Sequence, residues 1–138
     1  MKDLLRTSGI ILLVATVWTG CKIDNNADIR DAFVATYSVT ETWTENNQPL
    51  TKPVFSMSVE KSSQHPDRLL LNNFANYGAG VTAEATVSGK NLTIPQQTLP
   101  NLKAIIGSGT LSDTTMTFTY TETYNSTSFN ISALAKKQ

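Results

Sequence analysis

From Phe33 onward the chain alternates apolar and polar residues with a period of two, the signature of strands with one buried face. Phe33, Ala35, Tyr37, Val39, Glu41 and Trp43 fall on one face of the first segment; Thr36, Ser38, Thr40, Thr42 and Thr44 fall on the other. Residues 115–124 repeat the scheme, with Met116, Phe118, Tyr120 and Tyr124 opposed by Thr115, Thr117, Thr119, Thr121 and Thr123. Threonine and aromatic residues both suit a pleated, half-buried surface. Shorter candidate strands lie at 54–60, 68–74, 81–87, 92–94, 104–111 and 129–135, and Pro95 is expected to end the fourth of these. Ser88-Gly89-Lys90-Asn91 and Asn125-Ser126 read as hairpin turns. Gly78-Ala79-Gly80 and Gly107-Ser108-Gly109 have no helix to open, so they read as turns or bulges and not as phosphate loops. No amphipathic helix longer than two turns is visible. The expected fold is all-β: an eight-stranded antiparallel meander closed into a small barrel, with a Greek-key β-sandwich as the alternative. The aromatic face is expected inside and the threonine face outside, the reverse of a bilayer-spanning barrel.

The start of the chain says where such a domain would sit. Lys2 and Arg6 precede the apolar run 10–17, which is long enough for a signal core and too short for a membrane span. Trp18-Thr19-Gly20-Cys21 then resembles a lipobox, so residues 1–20 read as a lipoprotein signal peptide and Cys21 as the site of lipid attachment. Residues 21–32 read as the lipidated cysteine and a flexible linker, and 33–135 as the barrel domain. Lys22 and Asp24, just behind the cysteine, resemble the surface-export signal of Bacteroidetes-type lipoproteins. The expected location is the outer membrane, by acyl chains on Cys21 and with display at the cell surface.

Cleavage also bounds the partners. Removing Lys2, Arg6 and Asp3 from eleven basic and eleven acidic residues leaves nine and ten, a net charge of −1 with no basic patch, which argues against nucleic acid. Cys21 is the only cysteine, so disulfides play no part. The lone histidine, His65, sits in a His65-Pro66-Asp67 turn without a second metal ligand. No nucleophile–base pair, metal cluster or cofactor loop can be assembled, so neither an enzyme nor a cofactor is expected.

Three runs carry a family resemblance: Leu71-Asn72-Asn73-Phe74-Ala75-Asn76-Tyr77-Gly78, then Ala85-Thr86-Val87-Ser88-Gly89-Lys90-Asn91-Leu92-Thr93-Ile94-Pro95-Gln96-Gln97-Thr98, then Gly107-Ser108-Gly109-Thr110-Leu111-Ser112. They are similar to segments of small Bacteroidetes-type exported lipoproteins treated as calycin-like or lipocalin-like β-barrels of unassigned function. The resemblance implies fold and not chemistry. Lipocalins open on Gly-x-Trp, and the corresponding place here is Ala35-Thr36-Tyr37.

In an eight-stranded meander the first strand begins, and the last ends, at one rim. The linker enters there, so the opposite rim faces away from the membrane. Its expected loops are 45–52, 75–80 and 96–103. Glu41 and Glu122 are each the lone charged residue on an apolar face, in parallel-running strands separated by one other. One reading makes them a pair of acids at a ligand mouth, above an apolar lining of Tyr37, Trp43, Phe118 and Tyr120; the other leaves them solvated at strand ends. A small apolar or amphipathic ligand is the expected partner. The alternatives are a protein partner at the distal loops, as for a lysozyme or protease inhibitor, or an accessory role in a surface complex. Asp113-Thr114-Thr115 resembles an O-glycosylation site of Bacteroidetes-type exported proteins, or is an ordinary turn.

Overall fold

The computed structural model describes residues 27–138; the leader, Cys21 and the residues just behind it lie outside that range. Nine strands follow in order: β1 (Ala35–Glu45), β2 (Gln48–Thr51), β3 (Phe55–Lys61), β4 (Arg68–Asn72), β5 (Thr82–Ser88), β6 (Asn91–Thr98), β7 (Ala104–Ser112), β8 (Thr115–Tyr124) and β9 (Thr127–Lys137). All pairings are antiparallel, and β1 pairs with β9 from Tyr37↔Lys137 to Trp43↔Ile131, which closes the sheet. That closure excludes the sandwich. Because β9 takes one edge of β1, the pairings of Thr42–Glu45 with β2 and of Ala35–Val39 with β3 share the other edge. Together β2 and β3 fill one position, so nine strands make a closed eight-stranded barrel.

The alternation has the consequence expected of it. Tyr37, Val39, Met57, Leu69, Leu71, Leu92, Ile94, Met116, Phe118, Tyr120 and Ala135 are buried in the interior, while the threonines of β8 lie outside or at the surface. A bilayer-spanning barrel carries its apolar band on the outside; the outer face of β8 carries threonine hydroxyls there. The interior is filled, and Phe74 contributes to filling it from a loop, with its ring 4.8 Å from that of Tyr120 and 6.2 Å from that of Phe118.

Several boundaries differ from the expectation, each for a local reason. Residues 45–52 are not a distal loop: Asn46 and Asn47 take φ of 50° and 62°, the left-handed pair of a two-residue type I′ turn, and β2 follows. The first strand begins at Ala35, not Phe33, and residues expected to end the linker are folded. Ile29–Ala32 form a 3-10 turn capped by Asp28, and Arg30 donates to the carbonyls of His65 and Arg68. This turn brings Phe33 over the proximal rim, fully buried, where its carbonyl accepts from the Tyr37 hydroxyl at 2.9 Å. The last strand runs on to Lys137, beyond the expected end at 135. Gly107 and Gly109 are neither a turn nor a bulge. They stand in mid-β7 opposite Tyr120 and Phe118, where an added Cβ would lie 2.6 and 2.4 Å from the facing Cβ atoms.

Pro95 does not end its strand. Lacking an N–H, it is accommodated by an irregularity in register between Ile94 and Gln97, and β6 continues to Thr98. Ladder pairing between β5 and β6 covers only Thr86–Ser88 against Asn91–Thr93. Above it the Gln97 side chain stands in for a strand: its Oε1 accepts from the Glu84 N–H and its Nε2 donates to the Glu84 carbonyl, both at 2.8 Å. Gln97→Ala removes both partners of one backbone residue and is expected to destabilise the barrel by about 1–3 kcal/mol. Urea unfolding at neutral pH measures this; an unchanged midpoint would show that water replaces the amide without loss.

Candidate functional site

The distal rim gathers the ends of β1 and β8, the start of β9 and the residues leading into β3 and β7. The two lone acids of the apolar faces end up here, with β9 between their strands as expected. They are neither solvated nor a free pair. Glu41 is 0% exposed and Glu122 is 5% exposed, and each is held by a lysine. Lys52 Nζ lies 2.7 Å from Glu41 Oε2, and Lys103 Nζ lies 2.7 Å from Glu122 Oε1. The Tyr120 hydroxyl donates to Glu41 Oε1 at 2.9 Å, and the Tyr77 hydroxyl donates to Glu122 Oε2. Among the described residues no buried side-chain polar atom lacks a partner.

Tyr77 links the two pairs. Its hydroxyl accepts from Lys103 at 2.7 Å, and its ring lies 4.2 Å from the Lys103 ammonium and 5.0 Å from that of Lys52, both within cation–π range. Lys52 also donates to the carbonyl of Ala75 at 3.1 Å. That carbonyl is presented by an alanine at φ 55°, with Asn73 two residues before it and Asn76 directly after it at 59° and 60°. A non-glycine residue in this region costs about 1 kcal/mol, and the buried Phe74–Ala75 segment keeps it there.

Above this network opens a cleft of about 300 Å³. Trp43, Phe129 and Ile131 give it apolar surface, Tyr77 an aromatic one, and Lys52, Lys103, Glu45 and Glu122 its charged groups. Of the residues expected at a ligand site, Trp43 and Glu122 line this cleft. Tyr37, Phe118 and Tyr120 are buried in the packed interior, and Glu41 lies beneath Lys52. Cys21 is outside the described residues. Lys52, Lys103, Glu45, Phe129 and Ile131 were not singled out by the alternation. A larger concavity of about 570 Å³ lies on the outer wall over β7, β8, β9 and β1; its threonine, serine and glycine lining brings no charge and only Leu134 as an exposed apolar contact.

Burial raises the phenols. Tyr37 is pushed up to about 12 by desolvation. Tyr77 and Tyr120 are raised further, by desolvation first and then by the carboxylates beside them. Both therefore act as neutral hydrogen-bond donors to Glu122 and Glu41, not as bases.

No protein-family model matches the chain, and no curated protein matches it. The chain is similar in structure to a candidate outer membrane protein of Bacteroides fragilis, at 20% identity and a TM-score of 0.51, over 80% of this chain and 53% of that one. It thus spans about half the length of that protein, and at this identity the likeness carries the barrel fold alone.

Two outcomes are expected. Lys52→Met leaves the fully buried Glu41 without its counter-ion and is expected to cost about 3–5 kcal/mol; adding Glu41→Gln should restore most of it. Comparable instability of single and double variants in urea would mean that packing, not charge, holds the rim. The second concerns pH. An ordinary phenol ionises near 10 and Tyr37 near 12 in the fold, so the unfolded chain releases its proton first. Stability is full below pH 10 and is expected to fall as pH rises from about 10 towards 12. Phenolate absorbance followed beside the unfolding midpoint tests this, and a midpoint unchanged across that window would contradict it.

Proposed function

We propose that this protein is a non-catalytic, lipid-anchored lipoprotein of the outer membrane, displayed at the cell surface, that holds a small amphipathic ligand in the distal cleft. One observation carries the reading: a cleft of about 300 Å³ in which Trp43, Tyr77 and Phe129 offer aromatic surface beside charged polar groups. That size is at the lower end of small-ligand sites, and the mix of apolar walls with few polar groups is their usual composition. The filled barrel below serves as a rigid scaffold. Anchoring rests on Cys21 and the leader before it, and a hydroxyl-covered wall makes a separate anchor necessary for membrane attachment.

A protein partner at the same rim is the second reading. Leu50, Val54, Leu102 and Tyr124 are exposed apolar residues on the elements that surround the cleft. Exposed apolar residues at a rim suit an interaction surface.

Native mass spectrometry of Lys22 to Gln138, after incubation with a lipid and metabolite extract, separates the two. A discrete adduct lost in Trp43→Ala is the expected result. A bare protein whose pull-downs depend on Leu102 and Val54, and not on Trp43, would replace the ligand reading with the protein one. Anchoring is tested by Cys21→Ala, which should move the protein from the membrane to the soluble fraction.

A further inference from the structure

The proposed ligand cleft has a charge balance that narrows what it can take. Lys52 and Lys103 are 21% and 25% exposed, and both line the cleft. An ammonium has three donors. Lys52 spends two, on Glu41 and on the Ala75 carbonyl; Lys103 spends two, on Glu122 and on the Tyr77 hydroxyl. Each keeps one N–H with no partner among the described residues. Their charges are already matched by the two glutamates behind them, and exposed Glu45 adds an unmatched carboxylate at the lip. An anionic ligand would find its two donors but also three carboxylates. A cationic ligand would meet the ammoniums before any acid but Glu45.

A ligand that carries no charge, accepts from ammonium groups, donates to a carboxylate and lays an apolar face on an aromatic ring meets every group present. Saccharide rings have this chemistry: hydroxyls that both donate and accept, around a C–H face that packs against the negative π face of an aromatic side chain. Resting on the cleft reading above, we propose that the distal cleft binds a neutral saccharide, with a ring face on Trp43. Its hydroxyls accept from Lys52 and Lys103 and donate to Glu45.

Saturation-transfer NMR on the full-length chain tests this with cellobiose as the neutral probe, glucuronate and glucosamine as its charged counterparts, and indole as an apolar one. Transfer to the ring C–H protons of cellobiose is expected, with affinity little changed by salt because no net charge is neutralised. Trp43→Ala should weaken it roughly tenfold and Glu45→Gln somewhat less. Glu45 is exposed, Trp43 is partly buried against the core, and neither belongs to a buried ion pair; an unchanged circular dichroism spectrum of each variant separates lost binding from lost fold. Stronger, salt-sensitive binding of glucuronate or glucosamine would overturn the proposal. Trp43-dependent binding of indole without any saccharide would overturn it too, while leaving the cleft as a ligand site. Silence from all four probes would remove both.

Discussion

Burying a carboxylate in an apolar barrel is the constraint from which the distal half of this structure follows. Glu41 points inward because its strand alternates, and β1 cannot turn it out without also exposing Tyr37 and Val39. An unpaired charge there would be prohibitive. A cation must therefore be delivered from outside the alternating faces, and the chain delivers two, each from the residue or residues that lead into a strand. Lys52 enters before β3 and Lys103 before β7. Once both are in place, Tyr77 has an ammonium near its ring from each, and its own hydroxyl completes the coordination of Glu122. The loop bearing Tyr77 is thereby fixed, and Phe74, three residues earlier, is fixed inside the barrel.

Much of this was legible in the alternation. The eight barrel positions, the inward aromatic face, the two rims and the singular position of Glu41 and Glu122 all follow from a period of two. What the period cannot read is a partner supplied from a loop. Gln48-Pro49-Leu50-Thr51 is exposed throughout and shows no buried face, so β2 carried no signal of its own. The signal lay instead in Asn46-Asn47. Taken as a two-residue turn, it fixes the register Thr42↔Thr51, and the next rung sets Lys52 opposite Glu41, where the Lys52 N–H indeed donates to the Glu41 carbonyl. Lys103 was within reach of the same counting, one rung above Ala104↔Thr123 and diagonal to Glu122.

Other features were not legible by any local rule. Ala75 and Leu102 take φ of 55° and 65°, and neither has the propensity for it that glycine or asparagine has. Tertiary contacts impose the first: Ala75 is buried and its carbonyl is bound to Lys52, whereas exposed Leu102 sits in a local turn that its N–H closes on the Leu99 carbonyl. Pro95 misled for the converse reason. Its missing N–H should end a strand, but a displaced register and the Gln97 amide carry the wall past it. A side chain acting as a strand leaves no periodic trace in sequence.

The same network decides where a ligand can act. Eight strands enclose an interior that side chains can just fill, and here Phe74, Phe118 and Tyr120 occupy its upper part. For a ligand to reach Tyr120 from the rim, Tyr77 would have to leave, withdrawing the hydrogen bond it donates to Glu122 and the ring that both ammoniums approach. Lys52 would then lose the loop that carries the Ala75 carbonyl, and Glu41 would be left depending on a single, loosened counter-ion. Each step uncovers charge in an apolar surrounding, so the cost rises with depth. Binding at the rim requires none of it. The ion pairs that make the upper barrel possible also close it, and they leave the aromatic and polar groups above them as the surface on which recognition can occur.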